Sequence, residues 1–320
     1  MSTLITGAGL VGSQIAALEV ERGSRPVLFD VAPQATAIAA IVDPARISIV
    51  RGDVLNPYDL AAVIQQEHIT HIIHTAANPL LTIGAERNPY SAVVLNTVGT
   101  LNVLEGARLF HVQRVVLCSS GVLIRSMAGG EDQGDALKEE AFPRPTSFYA
   151  TSKQAAENLG INYARAFGMD FRAVRFCAVF GPWQGQGGGG GVTQRFKEVV
   201  ERGLRGEEIT YPDHPPEESV YSKDAAQGAL LACHTDETKS KVFNIGMGQQ
   251  YTSEQAVEAL RTVIPAAKVN LGEAQSDAGG RRSRFNAAQD ITRARTELGY
   301  EPRYDLAEAL HDFVEFYSRT

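Results

Sequence analysis

The residues Gly7-Ala8-Gly9-Leu10-Val11-Gly12 stand directly behind the apolar run Thr3-Leu4-Ile5-Thr6 and open a helical pattern, Val11–Glu21. A G-x-G-x-x-G string alone says little, but between a strand and a helix it restricts the chain severely. Gly7 permits a tight turn. Gly9 lets backbone approach a pyrophosphate, and Gly12 lets the helix pack closely on the strand. The helix start, with Leu10 and Val11, offers free N–H groups and a positive dipole end to an anion. The alternative is a glycine turn that binds nothing.

The rest of the first half repeats this alternation. Strand-like runs at Pro26–Phe29, Ile47–Val50, His71–Thr75, Val115–Cys118 and Phe171–Phe176 are separated by helical patterns. The helices are Pro57–Glu67, Pro89–Phe110 and Tyr149–Phe167. Strands separated by helices pair in parallel, because a parallel connection requires a crossover. Runs that are apolar almost throughout belong to a sheet covered on both faces. The predicted class is α/β: a doubly wound parallel (Rossmann) sheet with a smaller, interleaved C-terminal lobe.

The pattern changes after Gly181. Gln184–Gly191 is nearly all Gly and Gln and ends in five consecutive glycines, a stretch expected to be mobile without a ligand. Helical patterns return at Thr193–Leu204, Ser222–Cys233, Ser253–Val263 and Leu306–Tyr317, with a strand at Lys241–Ile245. The expected division assigns 1–176 and 219–245 to a dinucleotide-binding domain. It assigns 177–218 and 246–320 to a substrate-binding lobe.

Composition serves to exclude. With 44% apolar and 21% charged residues the chain reads as folded rather than disordered. A net charge of -7 and the lack of a Lys/Arg block argue against a nucleic-acid partner. No run approaches the roughly 18 apolar residues of a membrane helix. No basic, apolar leader precedes the first strand, so a cytoplasmic globular protein without a membrane partner is expected. Cys118, Cys177 and Cys233 lie far apart and read as buried thiols rather than a disulfide or zinc site. His68, His71 and His74 cluster on paper. His71 and His74 are three apart on a strand and face opposite sides, so no metal is expected.

Asp30 closes the second strand, 18 positions after Gly12. A carboxylate there accepts from ribose hydroxyls and repels a 2′-phosphate, which favours NAD over NADP. Gly52-Asp53-Val54 follows the third strand, where Asp53 either meets the adenine edge or caps the next helix. Tyr149 and Lys153 are four apart in a helical pattern and share one face. A free tyrosine, with a pKa of about 10, is a poor base at neutral pH. An adjacent ammonium and an oxidised nicotinamide are expected to lower that value. The phenol then takes a proton from an alcohol as hydride leaves its carbon. Lys153 can also hold the nicotinamide ribose. Ser119-Ser120 ends an apolar strand, and strand carboxyl ends are where open α/β sheets bind ligands.

Collectively the chain resembles the extended short-chain dehydrogenase/reductases, the NAD-dependent epimerase/dehydratase family, over nearly its whole length. His74-Thr75-Ala76-Ala77, Asn96-Thr97-Val98-Gly99-Thr100, Arg175-Phe176 and Gly181-Pro182 also carry the resemblance. So do Asp290-Ile291-Thr292-Arg293 and Leu298-Gly299-Tyr300. The resemblance implies that Ser120 hydrogen-bonds the reacting oxygen, Tyr149 is the acid/base and Lys153 its partner. It places Ala76, Ala77 and Asn96 near NAD, and Phe176 and Val179 at the nicotinamide end. It also implies a homodimer through a four-helix bundle built from Pro89–Phe110 and Tyr149–Phe167.

The match has departures. The dehydratase branch carries Thr-Asp-Glu where this chain has Ser120-Gly121-Val122, so sugar dehydration is not expected. Nucleotide-sugar epimerases often place Asn at the position of Ala178, and an Arg shortly before a Tyr/His-x-x-Asp segment. Here Glu217-Glu218 precede Val220-Tyr221-Ser222-Lys223-Asp224, and two carboxylates would repel a substrate diphosphate. Arg281, Arg282 and Arg284 read either as a carboxylate or phosphate site or as a solvated turn. His214 and Trp183 read either as substrate contacts or as ordinary loop and packing residues. The leading expectation is reversible hydride transfer between NAD and a secondary alcohol of a small polyhydroxylated substrate. The alternatives are a nucleotide-sugar 4-epimerase and a redox-silent NAD-binding regulator. Retention of both Tyr149 and Lys153 argues against the regulator.

Overall fold

Alternate residues of a strand point to opposite faces, and in this chain both sets are apolar and buried. Leu4, Ile72 and Val115 face one side of the central sheet, while Ile5, Ile73 and Val116 face the other. The computed structural model describes residues 2–77, 88–125, 136–141, 143, 145, 147–185, 191–274 and 287–319. The strands are β1 (Thr3–Thr6), β2 (Val27–Asp30), β3 (Ser48–Arg51), β4 (His71–His74), β5 (Arg114–Ser120) and β6 (Asp170–Phe176). They continue as β7 (Ala178–Phe180), β8 (Glu208–Asp213), β9 (Ser219–Tyr221), β10 (Val242–Ile245) and β11 (Lys268–Ala274).

Seven strands form one parallel sheet in the order β10-β6-β5-β4-β1-β2-β3. The chain winds outward from β1 to β3, then returns to β4 on the other side of β1. The crevice between β1 and β4 is therefore the switch point of the sheet, where such folds bind ligands. Helices Leu10–Glu21 and Ser222–His234 bury Ile15, Ala16, Ala226 and Leu230 on one face. Helices Pro57–Gln66, Thr100–Leu109 and Phe148–Phe167 bury Leu60, Val103, Leu104 and Ala156 on the other.

A second core holds Phe180, Phe196, Tyr211, Tyr221, Leu260 and Phe313. Around it lie the parallel pairs β7–β9 and β8–β11 and the helices Gly191–Leu204, Ser253–Val263 and Leu306–Ser318. This is the smaller lobe expected from the change of pattern. β7 and β9 were not expected, since three residues are too few to display a period. One expected helix is also different. Pro89–Phe110 is broken into Pro89–Val93, a π-helical segment Val94–Gly99 and Thr100–Leu109. Such widened turns occur frequently at functional sites, and this one carries Asn96, which is buried. Among the described residues no helix is long and apolar enough to cross a membrane.

Candidate active site

The glycine turn separates into positions the protein needs for itself and one it does not. Gly7 has φ +91°, a left-handed conformation that favours glycine. Its carbonyl and that of Thr6 both accept from Thr75 Oγ1, at 2.9 and 2.8 Å. A Cβ on Gly12 would stand 1.9 Å from the Gly7 carbonyl oxygen, so helix and turn could not meet. A Cβ on Gly9 would meet nothing within 4 Å. No side chain caps the helix that Gly9 begins. Open space at Gly9, beside a helix start without a side-chain acceptor, fits the pyrophosphate of a dinucleotide.

Asp30 lies at the end of β2 against this turn. Its Oδ2 accepts from Ala8 N and its Oδ1 from Ala32 N, each at 2.8 Å. The carboxylate holds the turn in place and keeps spare lone pairs for ribose hydroxyls. Asp53 does not cap the following helix. Asn56 does so, accepting from Tyr58 N at 3.1 Å, because Pro57 fixes the first helical position. Asp53 Oδ1 instead accepts from Leu55 N at 2.8 Å, and the adjacent Val54 is buried.

β4 ends in His74, whose Nδ1 lies 2.6 Å from Thr6 Oγ1 and whose Nε2 lies 3.1 Å from Thr100 Oγ1. Burial, reinforced by the Lys153 charge, pushes its pKa down to about 3, so the ring is neutral. His71 faces away and is pushed down to about 4, mainly by burial. Among the described residues no group of three or more His, Cys, Asp or Glu could hold a metal ion. Half-buried Ala76 and Ala77 follow β4. Asn96 Nδ2 donates to Ser152 Oγ at 2.9 Å, and Ser152 Oγ donates to the Tyr149 carbonyl at 2.8 Å.

Ser147 accepts from Ala150 N at 3.1 Å and so starts the helix at Phe148, placing Tyr149 in its first turn. Lys153, one turn later, donates from Nζ to the Cys118 carbonyl at 2.9 Å, near the carboxyl end of β5. Its Nζ lies 5.9 Å from the Tyr149 ring centroid. Ser120 Oγ accepts from Val122 N at 3.3 Å, and its hydrogen bonding acts to lower the Tyr149 pKa. Ser120, Tyr149 and Lys153 therefore lie together near the carboxyl end of β5.

Without a nicotinamide beside it the phenol is less acidic than a free tyrosine. Burial pushes Tyr149 up to about 12, with the Ser120 hydrogen bond pulling the other way. Burial likewise lowers Lys153 to about 8. Within the chain alone, desolvation of the phenolate outweighs the Ser120 hydrogen bond, and the Lys153 ammonium donates to a carbonyl of β5. Phe176, on the strand beside Ser120, accepts from Gly121 N through its carbonyl at 2.7 Å. Val179 is half-buried and pairs with Val220.

Glu157 escaped the sequence reading, and Arg175 entered it only through the family resemblance. Arg175 and Glu157 form a buried two-point ion pair at 2.5 and 3.0 Å, and Ser119 Oγ donates to Glu157 at 3.0 Å. This network clamps the tyrosine helix to the ends of β5 and β6. Its signal was available: Glu157 follows Lys153 by four, on the same helix face. Of the two expected facing carboxylates, Glu218 points inward instead, 1% exposed, accepting from Gly248 N and Gln289 N. Adjacent residues alternate in direction where the chain enters a strand. Glu217 pairs with Arg195 and accepts from Tyr251 Oη at 2.7 Å. His214 packs near Tyr211, with ring centroids 5.8 Å apart. Trp183 belongs to the core of the main sheet, 2% exposed. Cys118, Cys177 and Cys233 are buried free thiols. Arg281, Arg282, Arg284 and residues 186–190 of the glycine run lie outside the described residues.

Residues 3–246 match the NAD dependent epimerase/dehydratase family, and the chain belongs to that family. It is 27% identical to UDP-glucuronate 4-epimerase 4 of Arabidopsis thaliana, over 99% of this chain and 75% of that one. It is 28% identical to the UDP-glucose 4-epimerase of Mycolicibacterium smegmatis, covering 99% and 98%. Among solved structures, the UDP-glucose 4-epimerase of Thermotoga maritima with UDP-glucose superimposes with a TM-score of 0.84 at 25% identity. That superposition covers 100% of this chain and 99% of the other. The protein is an extended short-chain dehydrogenase/reductase enzyme with NAD as its cofactor.

Proposed function

We propose that this enzyme moves hydride reversibly between NAD and a secondary alcohol of a sugar-like substrate, with Tyr149 as acid/base. The observation that carries this reading is the placement of Tyr149 and Lys153 on one helix against the carboxyl end of β5, where Lys153 is anchored on Cys118 and Ser120 acts to lower the Tyr149 pKa. Bound NAD supplies the hydride acceptor and, when oxidised, a positive charge near the phenol. Gly9, Leu10 and Val11 receive the pyrophosphate, held between the packed Gly7 and Gly12, and Asp30 takes the adenosine ribose. Asp53, Val54, Ala76, Ala77, Asn96, Phe176 and Val179 line the remainder. Ser120 orients the substrate oxygen, Tyr149 accepts its proton, and Lys153 opposes the burial that holds the free phenol near 12.

Two outcomes use these residues. The relatives favour 4-epimerisation of a UDP-sugar, in which hydride returns to the opposite face and no NADH accumulates. Ala178 and the Arg195–Glu217 pair favour net dehydrogenation of a substrate without a diphosphate, since Arg195 is already neutralised. The second lobe, 177–218 and 246–320, selects between them. A homodimer through Pro89–Phe110 and the tyrosine helix is supported by exposed Tyr90, Val98, Leu109, Phe148 and Phe167. Three buried free thiols agree with a cytoplasmic location.

The test is NADH absorbance with NAD and a panel of aldoses, sugar acids and UDP-sugars, with chromatography for epimers. NADH formation establishes dehydrogenation, and an epimer without NADH establishes epimerisation. Turnover that survives Tyr149→Phe overturns the assignment.

A further inference from the structure

The carboxyl ends of β5, β6 and β10 close over a buried amide that the chemistry above does not use. Gln289 is 1% exposed. Its Nε2 donates to the Arg175 carbonyl at 3.3 Å and to Asn244 Oδ1 at 3.2 Å. Arg175 and Asn244 are register partners on β6 and β10. Its backbone N–H donates to Glu218 at 2.9 Å, which ties the second lobe to the same point. Ala288 and Asp290, on either side, bond the backbone of Leu137 at 2.8 and 2.9 Å. The Gln289 Oε1 has no hydrogen-bond partner among the described residues. A buried acceptor left unmet carries a desolvation cost.

The amide lies against Gly121, the residue after Ser120. A Cβ on Gly121 would stand 2.5 Å from Gln289 Nε2 and 3.0 Å from its Cδ. Gly121 N donates to the Phe176 carbonyl at 2.7 Å, which closes the turn from the other side. The turn that aims the Ser120 hydroxyl at Tyr149 is thus seated between the end of β6 and the Gln289 side chain. We propose that Gln289 is a positioning residue for Ser120, acting by backing the Gly121 turn. The kinetic part of this proposal rests on the hydride-transfer reading; the spectroscopic part does not.

The test titrates the Tyr149 phenol in NAD-loaded protein by ultraviolet difference, each variant against its own Tyr149→Phe form. In Gln289→Ala the serine loosens, its hold on the phenol weakens, and the phenol titrates at higher pH than in the wild type. With an active substrate, kcat falls about a hundredfold while NAD affinity stays within about twofold. Gly121→Ala alone is impaired in the same way. The double variant Gly121→Ala/Gln289→Ala regains part of the loss, because the methyl takes the space the amide left. If Gln289→Ala does not fold, Gln289→Met keeps the volume and removes the amide bonds for the same titration. An unshifted phenol, or a double variant worse than the two singles combined, overturns the proposal. A wild-type protein that binds NAD but converts no substrate sinks the functional reading, and the titration still decides the role of Gln289.

Discussion

The Lys153 ammonium donates to the Cys118 carbonyl at 2.9 Å, so the lysine is fastened to β5 and passes the Tyr149 ring at 5.9 Å. Lys153→Met keeps the length and removes the charge. Turnover with NAD is expected to fall by about a hundredfold or more, with the acid-side limb of the kcat profile, where the phenol must lose its proton, moved to higher pH. An unchanged profile would separate Lys153 from the chemistry.

Gly9 and Gly12 give opposite results when a methyl group is added. Gly9→Ala places Cβ in open space, so the variant melts with the wild type while NAD binding weakens by about tenfold or more. Gly12→Ala drives Cβ to 1.9 Å from the Gly7 carbonyl oxygen and costs about 3 kcal/mol or prevents folding. Calorimetric melting with and without NAD reads both.

Asp30→Asn removes the charge that opposes a 2′-phosphate. The ratio of NADP to NAD affinity is expected to rise about tenfold or more. The weakened bonds to Ala8 N and Ala32 N cost about 1–2 kcal/mol of stability. Fluorescence titration with both nucleotides and urea melts check the two parts separately.

The Arg175–Glu157 pair is buried on both sides. Removing one partner leaves the other charge without compensation, at about 3–5 kcal/mol. Arg175→Met and Glu157→Leu are each strongly destabilising, and the double variant recovers more than half of the summed loss. Strict additivity in the urea melts would mean that the two charges do not depend on one another.

His71 and His74 set an acid limit on stability. Burial holds their pKa values at about 4 and about 3, while the unfolded chain takes up both protons at about 6.5. The unfolded state therefore binds more protons below pH 6.5, and stability falls as pH falls. Each histidine contributes about 1.4 kcal/mol per pH unit below pH 6.5, until its folded value is reached. Between pH 7 and pH 5 the two together remove about 4 kcal/mol. Above pH 7 they have no effect. Urea unfolding at both pH values tests this, and equal stability would contradict it.

Local pattern alone specified the parallel sheet, the glycine turn at its switch point, and Tyr149 with Lys153 on one helix face. Each depends on the period of an element or on the residues beside it. Tertiary structure decided what depends on contact between distant segments. Gln289 meets the Arg175 carbonyl from 114 positions away. Glu218 turned inward because Gly248 and Gln289 offered it N–H groups. Within the chain alone the phenol sits above its ordinary value because burial, which only the packed fold creates, disfavours the phenolate.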